Sequence, residues 1–99
     1  MESKVQQMQD LYGEWVKLLP ELEKGLRQWR QAAEVMQQLR QFYFSPEWQT
    51  LYDNADEIPL DTQGNYNVLS EDALWNAFHE QHQLAVQWLK EGIAVIDNQ

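Results

Sequence analysis

The chain reads as an all-α protein, a small helical bundle, and three observations predict it. Its apolar residues recur at helical spacing over most of its length, no stretch alternates in the manner of a strand, and its turn residues collect in one central segment. Ninety-nine residues suit a single domain with one core. A hydrophobic content of 43% with five Trp is too high for a disordered chain.

The first helix is expected over about residues 3–43. From Val5 the apolar positions step by alternating threes and fours through Met8, Tyr12, Trp15, Leu19, Leu22, Leu26, Trp29 and Ala33 to Met36. Such a sustained heptad stripe marks an amphipathic helix. Pro20 lies inside the run, where it lacks an N–H and crowds the preceding turn. The heptad phase passes through it unchanged, so a kinked helix is expected, with a break into two helices as the alternative. After Met36 the next position of the stripe is Arg40, and the apolar face slips to Leu39, Phe42 and Tyr43.

A short helix of about 46–53 follows. Ser45 is suited to an N-cap, Pro46 to the first helical position, and Glu47 to the positive end of the helix dipole. Residues 54–69 read as an acidic loop, with Asn54, Asp56, Pro59, Asp61, Gly64, Asn65 and Asn67 as turn residues. The last helix is expected over about 71–96. Ser70 would be its N-cap, Glu71 and Asp72 its first turn, and Leu69 and Leu74 a hydrophobic staple. Its buried stripe would run Leu74, Phe78, Ala85, Trp88 or Leu89, and Val95 or Ile96, packing antiparallel on the first helix.

Charge is unevenly divided. Residues 1–44 carry six acids and six bases, whereas residues 45–99 carry ten acids against Lys90 alone, a net of −9. Nucleic acid and anionic membranes are bound through Lys and Arg, so neither is an expected partner of this half. A basic protein partner is. No Cys is present, which removes disulfides and thiolate chemistry and fits a reducing compartment. The N-terminal residues lack signal-peptide character and no apolar run is long enough to span a membrane, so a cytoplasmic location is expected.

Little in the sequence supports catalysis, and no cofactor is expected. His79 and His82 stand three apart, but His79-Glu80-Gln81-His82 lacks the His-Glu-x-x-His spacing of zinc peptidases. The carboxylates do not fall at the spacing that all-α magnesium-dependent phosphohydrolases use, and no phosphate-cradling glycine loop occurs. Two clusters remain. The aromatics Phe42, Tyr43, Phe44, Trp48 and Tyr52 read as the corner of the core. The acids Asp53, Asp56, Glu57, Asp61, Glu71 and Asp72, with Tyr52 and Tyr66 as aromatic anchors, read as a candidate surface for a basic partner.

The segment Tyr43-Phe44-Ser45-Pro46-Glu47-Trp48, then Pro59, then Val68-Leu69-Ser70-Glu71-Asp72-Ala73-Leu74-Trp75-Asn76 resembles a family of small bacterial helical proteins. That family is catalogued as a domain of unknown function (family 4298). Its members read Tyr-Tyr-x-Ser-x-Glu-Trp, a Leu-Pro loop, and Val-Leu-Ser-Glu-Asp-Ala-x-Tyr-Asn. The resemblance spans about residues 40–96. This chain differs at Trp75, usually Tyr, and at Gln63-Gly64-Asn65-Tyr66-Asn67, where the family segment is usually basic. Proteins similar to the family serve as immunity proteins beside bacterial toxins, including ribonucleases of the EndoU type. The resemblance therefore implies an immunity protein that occludes a basic nuclease toxin without chemistry of its own. A helical scaffold that self-associates through the first helix is the alternative, and a metal-dependent nucleotide phosphohydrolase the third.

Overall fold

A computed structural model describes residues 2–99, which form helices and connecting turns with no strand among them. The helices are α1 (Glu2–Tyr43), α2 (Pro46–Asp53) and α3 (Ala73–Asp97), with a single 3-10 turn, Ala55–Glu57, between the last two. The long, short and C-terminal helices of the sequence reading are thus present. α1 passes through Pro20 as one helix rather than two. Pro20 offers no N–H to the Val16 carbonyl, and the helix runs on without that one hydrogen bond.

The chain divides into two compact units, Met1–Val35 and Met36–Gln99. Up to Val35 the first unit is α1 alone. Its heptad stripe is exposed: Val5, Met8, Tyr12, Trp15, Leu19, Leu22 and Leu26 keep 38–68% of their surface in contact with solvent. Within this unit nothing covers it, because a helix taken by itself offers no second apolar surface to bury against.

In the second unit Trp48, Leu69, Leu74 and Phe78 are buried, and around them stand the last turns of α1, the whole of α2 and the start of α3. The first and last helices meet here: the Tyr43 ring packs edge-on against Phe78 at 5.5 Å, and the Arg40 guanidinium lies 4.5 Å above the same ring. Tyr43 also contacts Trp48, centroid to centroid at 4.8 Å, and Trp48 stacks on Tyr52 at 5.1 Å. Tyr43, Trp48 and Tyr52 therefore form the corner of this core as expected, whereas Phe44 of the same cluster is largely exposed. Edge-on and offset ring pairs of this kind add about 0.5–1.5 kcal/mol each beyond their buried area.

The α1–α2 corner is held by one hydroxyl. Ser45 Oγ donates to the Phe42 carbonyl at 2.6 Å and accepts from the Trp48 N–H at 3.4 Å, so it satisfies an end group of each helix. Pro46 occupies the first helical turn and Glu47 the acidic position, as the sequence suggested.

Two expectations for α3 change. The helix begins at Ala73 with Asp72 as its N-cap, so Glu71 and Asp72 precede the first turn. Ser70 still contributes, since its Oγ accepts the Ala73 N–H at 3.3 Å, but the backbone does not close its first helical hydrogen bond until Asn76 N–H reaches the Asp72 carbonyl at 2.8 Å. The buried stripe also stops early. Leu74 and Phe78 are buried and Ala85 is half-buried, whereas Trp88, Leu89, Val95 and Ile96 are exposed. α3 has 25 residues and α2 only eight, so within this unit α2 is too short to cover the later turns of α3.

Candidate functional site

The acidic loop is ordered by its own turns. Asp61 Oδ1 accepts the Gln63 N–H at 2.9 Å, and the Asn65 N–H closes a turn on the Thr62 carbonyl at 3.0 Å. Both central residues are left-handed, Gln63 at φ 55° and Gly64 at φ 82°. This geometry admits Gly freely and other residues at a cost, which accounts for Gly64 and leaves Gln63 in a conformation its side chain disfavours. Open space surrounds the Gly64 Cα, so an added Cβ would meet nothing and only the backbone would object. Gly64→Ala is expected to lower stability by about 1 kcal/mol, measured by urea denaturation, while Gly64→Asn recovers part of it.

The far end of the loop is fastened to the core. The Trp48 indole Nε1 donates to the Val68 carbonyl at 3.1 Å, and Asn67 Oδ1 accepts the Leu69 N–H at 2.8 Å. The first of these bonds ties the end of the loop to the buried Trp48, and the second closes a local turn just before Leu69.

The candidate partner-binding residues fall into two groups. Tyr66, Glu71 and Asp72, with Ser70, Ala73 and Asn76, line a shallow depression of about 330 Å³. Tyr66 is 89% exposed, the most exposed large apolar side chain of the described residues. Asp53, Asp56, Glu57 and Asp61 are exposed along the end of α2, the 3-10 turn and the loop, and do not line that depression. Asp53 accepts a hydrogen bond from Gln49 at 3.1 Å, and no Lys or Arg partners any of the six acids among the described residues. Tyr52 differs from the rest: half-buried and stacked on Trp48, it serves the core and shows only part of itself to a partner.

A second depression, of about 210 Å³, was not anticipated. Arg40, Phe44, Trp75, Phe78, His79 and His82 line it, bringing cationic and titratable groups to a wall of aromatic rings. Two signals in the sequence bear on it. Arg40 interrupts the heptad stripe, and Trp75, His79 and His82 follow at four and three residues, one face of α3. Among the described residues no group of three or more His, Cys, Asp or Glu is placed to hold a metal ion, and no helix is long and apolar enough to cross a membrane.

The described residues form an all-α fold with an exposed acidic edge. The chain belongs to the family described as domain of unknown function (DUF4298), whose model matches residues 5–91. No curated protein and no solved structure matches it.

Proposed function

We propose that this chain is a non-catalytic binding protein that docks on a basic protein through its acidic edge, in the manner of an immunity protein neutralising a nuclease toxin. The observation that carries the reading is the set Asp53, Asp56, Glu57, Asp61, Glu71 and Asp72, exposed and without basic partners among the described residues, with the projecting Tyr66 ring beside Glu71 and Asp72. Carboxylates that are not neutralised within their own chain keep their field for an incoming cationic surface, which speeds encounter and favours basic partners over others. An exposed Tyr at the rim supplies an apolar anchor with few rotatable bonds and a polar tip. A nuclease must present a basic cleft to its substrate, and such a cleft is complementary to this edge.

The reading expects the neighbouring open reading frame to encode a basic nuclease domain, and the test mixes that domain with the purified chain. Stoichiometric inhibition of RNA cleavage, weakening as salt rises, is the expected result. Undiminished cleavage at saturating concentrations of the chain would overturn the reading.

A further inference from the structure

The apolar face of α1 is larger than a monomer ordinarily exposes. Val5, Met8, Leu11, Tyr12, Trp15, Val16, Leu18, Leu19, Leu22 and Leu26 are all exposed. In heptad terms they fall at the a, d, e and g positions, which form one continuous arc of the helix. At roughly half exposure each, ten such side chains present on the order of 1,000 Å². The largest apolar patch on a typical monomer is about 300–600 Å², and a stable complex buries about 800 Å² per partner. This face therefore has the area of a complete interface.

We propose that the occupant is a second copy of the same face, with the two α1 helices antiparallel and the two-fold axis beside residue 17. Three features of the chain select that arrangement. Parallel pairing would bring the two Tyr43 ends of α1 together, and with them two following segments that each carry a net charge of −9. Antiparallel pairing sends those ends in opposite directions, by tens of ångströms at about 1.5 Å per residue, well beyond the Debye length. The flanking positions agree. With the axis at residue 17, Val16 faces Val16 and Leu18 faces Leu18 of the second copy, so the apolar residues at e and g meet one another. Leu11 then lies against the second copy's Gly25, where the absent side chain leaves room. Sliding by one heptad would instead oppose Val16 to Glu23, and parallel pairing would oppose Leu18 to Glu23.

The core layers of the seam are Met8 with Leu26, Tyr12 with Leu22, and Trp15 with Leu19 of the second copy, which combine large and medium side chains in each layer. Pro20 is at a b position, clear of the seam. The seam gives the exposed stripe of the first unit the apolar surface that α1 cannot supply by itself. It does not depend on the acidic edge, and it holds whether or not that edge docks on a nuclease.

The experiment is sedimentation velocity with light scattering on the full chain, at several concentrations. A species of twice the 11.8 kDa chain mass is expected. Leu19→Glu is expected to raise the dimer Kd by more than about 100-fold while helix content by circular dichroism is kept, because the residue is exposed in the single chain. Leu19→Gln, a good helix former, guards against a folding artefact. Cysteine cross-linking then fixes direction, the chain having no Cys of its own. Val16→Cys is expected to form an intermolecular disulfide readily and Leu22→Cys not to, since residue 22 meets its own copy only in a parallel pair. A monomer at all concentrations, a dimer indifferent to both substitutions at residue 19, or cross-linking at residue 22 rather than 16 would overturn the proposal.

Discussion

Trp48→Ala is expected to be the most damaging single substitution in residues 36–99, lowering stability by about 3–5 kcal/mol. Trp48 joins more of this unit than any other side chain described. Its ring packs between Tyr43 and Tyr52, its backbone N–H is capped by Ser45, and its indole N–H holds the Val68 carbonyl at the end of the acidic loop. Removing it takes away one of the four buried apolar side chains among the described residues and leaves that carbonyl without its donor. A unit of this size starts with a small margin, so the loss is a large share of its total stability. Trp48→Phe separates the two contributions: the ring remains and the hydrogen bond goes, and a cost nearer 1 kcal/mol is expected. Thermal denaturation followed by near-ultraviolet circular dichroism reads both. A cost below about 1 kcal/mol for Trp48→Ala would mean that Trp48 does not anchor this core.

The second large effect concerns the acidic edge. Reversing Asp56, Glu57 and Asp61 to Lys together changes the local charge by six, from −3 to +3, on side chains that are exposed and unpaired. Affinity for a basic nuclease partner is expected to fall by about 100-fold or more at low salt. Most of the loss should appear in the association rate, because removing long-range attraction slows encounter before it weakens contact. Stability should fall by about 1 kcal/mol, chiefly because the reversal at Asp61 removes the acceptor of the Gln63 N–H in the loop turn. Tyr66→Ala, in contrast, is expected to raise the dissociation rate and leave the salt dependence unchanged. Binding that keeps its affinity and its salt slope after the triple reversal would place the interface elsewhere, and the depression around Arg40, Trp75 and His79 is then the next surface to vary.

Much of this was readable along the chain. Helices are written in local terms, so the i, i+3, i+4 spacing of Val5 to Met36, the Ser45-Pro46-Glu47 cap and the turn residues of 54–69 were each enough to place an element. The start of α3 was read two residues early. Ser70 is a capping residue there, and its hydroxyl does reach the Ala73 N–H, but the intervening Glu71 and Asp72 remain outside the helix. Side-chain capping and backbone helix onset are separable by a turn, and only coordinates distinguish them. The acidic candidates were also legible, because exposure follows from charge. Their division into a Tyr66–Glu71–Asp72 depression and a separate run from Asp53 to Asp61 was not, since it depends on the tie between Trp48 and Val68, twenty residues apart.

The sequence by itself determined the helical class, the caps and the placement of ten acids against one base after residue 44. Only the tertiary structure decided which apolar stripe becomes core. Periodicity shows that a helix has a face to bury, but burial needs a second surface, and that surface comes from elsewhere in the fold. Leu74 and Phe78 find one in the aromatic corner of Tyr43 and Trp48, while the equally regular stripe from Val5 to Leu26 finds none within α1 and stays exposed.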